Sequence, residues 1–252
     1  MNSTIQHQLN HRAIREFTDQ QVAPAVIETL REVVNRTATS VGFQSYSVIR
    51  ITKPELLAEI AAIGRQKYIE RLPELWIFVV DCFRNAMIAR EQGHHLPTEG
   101  DMDRFFQGWT DASLAAQNLL TAVESLGMGA CFYGCILNDS DALIERLQLP
   151  ELTMPVVGVG FGYPNQSPML KPRMSMDLKM FENCYEIQPN YLSALVDYDK
   201  EMRTYYDLRQ SNKPLDSYTE QVVDKLTHPI AKRATLLCTL HRQGFDLGLE
   251  EK

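Results

Sequence analysis

The 252-residue sequence has no apolar run that approaches the roughly 20 residues of a membrane-spanning helix. Its first residues, 1–7, are polar and lack the apolar core of a signal peptide. Positive charge is not in excess, because the sequence has 25 lysines and arginines but 32 aspartates and glutamates, which gives a formal net charge of −7. We therefore expect a cytoplasmic protein whose main partner is neither a membrane nor a nucleic acid.

Cysteine is scarce, and its spacing is uneven. The five cysteines are an odd number, which favours reduced thiols over a disulfide framework. Cys131 and Cys135 have the spacing C-x3-C, which matches neither a redox C-x-x-C motif nor a zinc half-site. No cluster of histidines or cysteines lies near them in the sequence, so we expect no bound metal.

The familiar catalytic motifs are also missing. The sequence contains no Ser-His-Asp triad order, no H-E-x-x-H and no P-loop. The glycines of 158–162 alternate within an apolar stretch that Pro164 follows, which does not fit the dinucleotide fingerprint at a strand-to-helix turn. Such glycines favour close packing by another backbone or by a flat ligand. Without a recognisable acid–base pair, chemistry carried by an organic cofactor is favoured, and no catalytic side chain is assigned.

Periodic apolar residues predict a mixture of helices and strands. Residues 84–101 are more polar, and we expect a surface excursion there. The elements do not alternate as βαβ units, which is typical of an α+β fold. We expect one domain over 1–252, with a helical extension from about residue 190. The predicted helices are 22–35, 54–63 (ended by Gly64), 111–126, 139–147, 191–206 and 218–244, and the predicted strands are 45–52, 76–81, 130–136 and 154–163.

Two basic clusters stand out in this acidic chain. His11, Arg12 and Arg15 lie within five residues, and Lys171 and Arg173 flank Pro172 far along the sequence. Arginine presents a rigid fork of N–H donors that matches phosphate oxygens. The two clusters therefore suggest one anionic cofactor that is held from both ends, the alternative being an ordinary solvated charged face.

An ordered set of motifs resembles a known family. The set runs from about residue 5 to about residue 245, and its members are 11–18 (HRAIREFT), Gln44 with 47–52 (SVIRIT), 64–67 (GRQK), 115–129, 160–164 (GFGYP), 170–173 (LKPR) and 205–212. In these residues the chain resembles the nitroreductase superfamily, specifically the NADPH-dependent, oxygen-insensitive group that includes the NADPH-flavin oxidoreductases. The resemblance implies a homodimeric, three-layer α+β fold with a mostly antiparallel central sheet flanked by helices. FMN would lie at the subunit interface, and the alanine-rich helix would be the central dimer helix.

The same resemblance implies roles for individual residues. His11, Arg12, Ala13, Lys171 and Arg173 would hold the phosphate and ribityl end of FMN. Arg15 would face the N1/O2 edge of the flavin, where a cation stabilises the charge that the ring gains on reduction. The remaining assignments concern the flavin ring and its donor: Gln66 at the pyrimidine or N5 side, Thr39 and Ser40 at the ribityl or ring edge, Tyr133, Gly134 and Cys135 along the ring, and Arg209 and His228 for NADPH.

Three of these positions depart from the family pattern. Ala13 stands where the family usually has serine, so one phosphate hydroxyl is lost. Cys135 replaces a second glycine, and His228 stands where a second NADPH-binding arginine often occurs. These departures leave the flavin assignment better supported than the choice between NADPH and NADH.

The resemblance predicts an FMN-dependent oxidoreductase that works by ping-pong turnover. NADPH or NADH would deliver hydride to the flavin, and a nitroaromatic, a quinone, free flavin or a similar small molecule would then accept it. The alternative is an FMN-binding protein that stores, delivers or senses FMN with little turnover. Cys135 and His228 are the residues that keep this alternative open.

Overall fold

A computed structural model describes residues 2–208 and 214–248 of the chain. The chain divides into two compact units. The described part of the larger unit is 2–166 with 230–248, and that of the smaller unit is 167–208 with 214–229. The two units are described in turn, and the single domain expected from the sequence stays a prediction.

The centre of the larger unit is a sheet of four antiparallel strands. In chain order these are β1 (Tyr46–Ile51), β2 (Glu74–Asp81), β3 (Gly129–Tyr133) and β4 (Thr153–Gly162). Their order across the sheet is β1-β2-β4-β3, so β1 and β3 are the edge strands. Every residue of β2 is buried, as its continuous apolar sequence predicts for a central strand. The α+β prediction with a mostly antiparallel sheet is confirmed.

Seven helices of the described residues surround this sheet. They are α1 (Ser3–Leu9), α2 (Pro24–Asn35), α3 (Pro54–Gly64), α4 (Phe83–Glu91), α5 (Met102–Ser125), α6 (Ser140–Leu147) and α9 (Leu236–Arg242), numbered along the whole chain. Helix α5 packs small and branched apolar residues against the sheet, and its buried residues run from Phe105 to Val123 on one face. Short 3-10 turns lie at Ser40–Gly42, Lys67–Arg71, Gly134–Asp139 and Ala231–Arg233.

Two helix predictions need correction. Helix α5 begins at Met102, nine residues before the predicted start at Asp111, because Asp101 caps it by accepting the Arg104 N–H at 2.8 Å. Most side chains of its first turns are polar, so the sequence there shows no clear apolar periodicity, although Phe105 and Gly108 are buried. Residues 84–101 are not only a surface excursion, since they contain most of α4. Because Ala86 is the one buried residue of this helix, its sequence has little apolar periodicity.

The ends of two further elements differ from the predictions. Gly64 does not end helix α3 but belongs to it, and Arg65 takes the left-handed conformation at φ 53°. Close packing explains the glycine at position 64 instead, since a Cβ there would lie 3.0 Å from the Cys135 Sγ. The predicted strand 130–136 stops at Tyr133, where the chain turns into the 3-10 segment Gly134–Asp139.

The alternating glycines of β4 make room for side chains. A Cβ at Gly160 would lie 2.6 Å from Cε2 of Tyr133 and 2.8 Å from Cδ1 of Leu72. A Cβ at Gly162 would lie 2.8 Å from Cγ of Pro73. The expectation of a backbone or a flat ligand against these glycines was wrong, because rings and branched side chains of the same unit fill the space.

The smaller unit contains an irregular stretch followed by two helices. These helices are α7 (Tyr191–Met202) and α8 (Tyr218–Thr227). The predicted helix 218–244 is interrupted, because α8 ends before Pro229, whose ring nitrogen cannot donate a hydrogen bond. The predicted helix 191–206 ends early, at Met202. A capping box begins α8, in which Ser217 and Glu220 exchange side-chain and backbone hydrogen bonds.

Candidate functional site

The basic segment near the N-terminus runs beside edge strand β3. Ala13 forms a parallel bridge with Ala130, and the Ile14 N–H donates to the Ala130 carbonyl at 3.0 Å. A Cβ at Gly129 would lie 2.5 Å from Cγ1 of Ile14, so glycine is needed for this close approach. The docking fixes the backbone positions of the neighbouring arginines, Arg12 and Arg15, along the strand.

The charges of this segment are only partly neutralised. His11 Nδ1 lies 2.6 Å from Glu124 Oε1 on α5. Arg12 donates to the Asn10 carbonyl at 3.0 Å. Within residues 2–208 and 214–248, neither Arg12 nor Arg15 forms an ion pair, although both are partly buried. Two guanidinium groups without a carboxylate partner can receive an anionic ligand through charge-assisted hydrogen bonds.

Tyr133 ends β3 with a buried ring. It is 2% exposed, and its ring centroid lies 6.0 Å from that of Tyr68. The Tyr133 hydroxyl has no hydrogen-bond partner among the described residues. Burial strongly raises the pKa of this hydroxyl, although the charge of Arg15 acts to lower it. The hydroxyl therefore stays protonated at neutral pH.

The turn after β3 is open above Gly134. A Cβ built there meets no atom within 4 Å, although Cys135, the next residue, is partly buried. Two basic residues hold the turn, since Arg233 Nη1 donates to the Gly134 carbonyl at 2.9 Å and Lys232 pairs with Asp139. Arg233 could not be predicted, because its contact joins residues 99 positions apart and leaves no local signal in the sequence.

Gln66 is brought to this turn by the end of helix α3. Its backbone N–H donates to the Ala61 carbonyl at 3.0 Å, just after the left-handed residue Arg65. The same helix end touches the turn, because the Asn138 Nδ2 donates to the Gly64 carbonyl at 3.2 Å. Gln66 therefore follows directly on a helix end that packs against the turn, and its role toward the flavin stays a prediction.

Thr39 and Ser40 lie on a separate loop, between α2 and β1. The Ser40 N–H donates to Oδ1 of Asp111, a residue of α5, at 2.7 Å. Asp111 is completely buried, and its other oxygen accepts the Ser45 N–H at 3.2 Å. Asp111 was predicted only as the start of a helix, and its two hydrogen bonds to the loop were not predicted.

Three other predicted residues belong to the smaller unit. The Lys171 Nζ lies 5.9 Å from the centroid of the Tyr205 ring. The charge of Arg173 lowers the pKa of Tyr198, against a larger rise caused by burial. His228 is 73% exposed in its side chain and lies 3.1 Å from Asp224 on its own helix. Arg209, the other predicted NADPH residue, lies outside the described residues.

These features fit the binding of FMN. Its phosphate needs a cation without a competing carboxylate, as Arg12 is, and its ring gains negative charge on reduction, which suits a second cation, Arg15. Its flat ring needs an uncovered surface, which the turn at Gly134 leaves open. In the described part of the chain, no group of histidine, cysteine, aspartate and glutamate side chains could hold a metal ion. No helix of the described residues is long and apolar enough to cross a membrane.

Comparison with known proteins extends this description. The model of the "Nitroreductase family" matches residues 9–163, and that of the "Nitroreductase family, C-terminal domain" matches residues 171–248. The chain is 34% identical over 227 residues to the "FMN reductase (NADPH)" of Bacillus subtilis (strain 168), a match that covers 89% of this chain and 91% of that protein. It is 33% identical over 246 residues to the "Oxygen-insensitive NADPH nitroreductase" of Salmonella typhimurium, with 97% and 99% covered.

A solved structure agrees with the sequence relatives. The structure of the NfrA1 nitroreductase from B. subtilis is similar, with a TM-score of 0.89 and 31% identity over 96% of this chain and 99% of that chain. The chain therefore belongs to the nitroreductase family, and the resemblance found in its motifs is confirmed.

Proposed function

We propose that this chain passes electrons from NADPH or NADH to nitroaromatics, quinones or free flavin by ping-pong turnover at one bound FMN, with NADPH as the preferred donor. The relatives named for NADPH-dependent FMN reduction and nitro reduction support the class of reaction, since they match nearly the whole chain. The observation that carries the proposal is the pair of arginines, Arg12 and Arg15, which lie partly buried without a carboxylate partner beside an open turn.

The chain's own residues would bind and orient the cofactor. FMN, when bound, supplies the atom that accepts and donates hydride, and this explains why no acid–base pair is needed among the side chains. Arg15 would face the edge of the ring that becomes negative on reduction, and Gln66 would bond to the ring's polar side. The backbone of Tyr133, Gly134 and Cys135 would run along the ring, and Gly134 would leave it an uncovered surface. The roles of all these residues, and those of Lys171, Arg173, Arg209 and His228, stay predictions.

The physiological assembly we propose is a homodimer in the cytoplasm. Helix α5 supports the dimer, because its large apolar side chains Phe106 and Leu114 leave 60% and 48% of their surface exposed. No disulfide joins two cysteines of the described residues, which suits a reducing compartment. Sedimentation velocity should give twice the monomer mass of 28.8 kDa, and a single species at the monomer mass would contradict the dimer.

Replacement of Arg15 by alanine tests the proposed site. Arg15→Ala should weaken FMN binding about tenfold or more, because a hydrogen bond to a charged group contributes about 1.5–3 kcal/mol. The midpoint potential of the bound flavin should also fall, since the cation stabilises the reduced ring. Fluorescence of released FMN measures the affinity, and dye equilibration measures the potential.

Arg146→Ala is the matched control for this test. Arg146 lies on the surface of α6, half exposed and paired with Glu59, so its loss should change neither quantity. Unchanged affinity and unchanged potential in Arg15→Ala would count against the role assigned to Arg15.

A further inference from the structure

Three side chains on one face of helix α5 hold the connection between α2 and β1. They are Arg104, Asp111 and Asn118, spaced seven residues apart, which corresponds to about two helical turns. The Arg104 guanidinium lies 5.2 Å from the centroid of the Phe43 ring. The Asn118 Nδ2 donates at 3.0 Å to both the Val33 carbonyl and the Thr37 Oγ1. Asp111 lies between these two contacts.

The loop that these side chains hold has an unfavourable backbone conformation. Val41 and Gln44 have φ angles of 48° and 52°, a left-handed region that side chains other than that of glycine rarely adopt. Val41 is branched at Cβ and is 73% exposed, so packing of its own side chain does not stabilise this conformation. Contacts from outside the loop must therefore fix it.

Asp111 makes the strongest of these contacts. Both of its oxygens accept backbone N–H groups, from Ser40 at 2.7 Å and from Ser45 at 3.2 Å, so one carboxylate spans the turn that contains Val41 and Gln44. Close approach of the helix is possible because a Cβ at Gly108 would lie 2.6 Å from the Ser45 carbonyl oxygen. Burial of a carboxyl group costs desolvation free energy, and among the described residues only hydrogen bonds to the loop backbone offset that cost. We therefore infer that the loop conformation is important.

We propose that Asp111 is a positioning residue for the cofactor, with Asn118 supporting it: they fix the loop conformation in which Thr39 and Ser40 meet FMN. This inference rests on the proposed function, because it needs bound FMN, and on the contact of Thr39 and Ser40 with FMN that the family resemblance implies. Asp111 itself touches no cofactor. It acts through the backbone of Ser40, whose N–H it orients.

The test measures FMN release from the purified holoprotein on dilution, by the fluorescence of free FMN. Asp111→Asn keeps the shape of the side chain but turns an N–H donor toward one of the two backbone donors, and should weaken FMN binding about tenfold. Asn118→Ala should weaken FMN binding about threefold to tenfold. This variant replaces Asp111→Asn in the test if Asp111→Asn does not fold. Ser113→Ala is the control, since this exposed hydroxyl bonds only within α5, to Trp109.

A rescue variant separates positioning from a general loss of stability. Val41→Gly removes the backbone strain, so the loop needs less support, and the double variant with Asp111→Asn should recover part of the lost affinity. Wild-type affinity in both Asp111→Asn and Asn118→Ala, or no recovery in the double variant, would overturn the inference. A wild-type protein that binds no FMN would instead overturn the proposed function.

Discussion

At the scale of the residue, burial decides the chemistry of the cysteine thiols. Cys82 is 3% exposed, and burial, with the nearby charges of Asp81 and Asp101, raises the pKa of its thiol to about 12. Cys184 and Cys238 are exposed. Because the thiolate is the reactive form, Cys82 should differ widely in reactivity from Cys184 and Cys238.

Alkylation at pH 8 should therefore modify Cys184 and Cys238 long before Cys82. A thiol of pKa about 12 is ionised in only about one molecule in ten thousand at this pH, and burial also blocks the reagent. Mass spectrometry of iodoacetamide-treated native protein measures the order, and urea-unfolded protein, where all the cysteines should react alike, is the control. Equal rates for Cys82 and Cys238 in the native protein would show that Cys82 is not buried.

Single residues of the site could be predicted only where a local motif marks them. Arg12 and Arg15 stand out as a cluster in the sequence, and Gln66 follows a recognisable break. Asp111 could not be recognised, because its hydrogen-bond partners Ser40 and Ser45 lie 71 and 66 positions away. Such long-range contacts depend on how α5 crosses the loop, which no local pattern records.

At the scale of the element, the glycines of β4 set the shape of the sheet surface beside the proposed site. Gly158 and Gly160 lie opposite β3, and both leave space for Tyr133. The neighbours of a Cβ at Gly158 would be side-chain atoms at 3.2–3.3 Å, which can shift slightly. The space at Gly160 is tighter, so the two positions should respond differently to the same substitution.

Gly160→Ala should lower the free energy of unfolding by about 1–3 kcal/mol, because the added methyl group overpacks the core against the Tyr133 ring and Leu72. Gly158→Ala is the matched control and should cost less. Urea unfolding followed by circular dichroism, at one fixed FMN concentration, measures both. An equal or larger loss in Gly158→Ala would contradict the packing described at Gly160.

The elements themselves were largely predictable, and their ends were not. Apolar periodicity located β2 and β4 to within two residues, because buried strands have continuous apolar sequences. Helix α5 extends nine residues beyond the predicted start, since an N-cap and polar side chains mark its first turns. Helix α4 was missed, because it buries a single alanine and its sequence therefore lacks an apolar stripe.

At the scale of the whole molecule, the order of motifs was more informative than any one of them. The basic segment, the alanine-rich helix and the later Lys171–Arg173 pair are each common features, but their order along the chain matches one family. The family models cover residues 9–163 and 171–248, so the fold and the class of reaction follow from the sequence. The choice of acceptor does not, because it depends on the shape of loops that the sequence pattern leaves undetermined.

The most direct test of the account is anaerobic stopped-flow of the purified protein at flavin wavelengths, with NADPH and NADH mixed in separately. We predict rapid loss of the oxidised-flavin absorbance with NADPH, slower loss with NADH, and return of the absorbance when a quinone is added. Equal rates with the two donors would contradict the proposed NADPH preference. A bound flavin that neither donor reduces would contradict the central claim and favour a protein that stores, delivers or senses FMN.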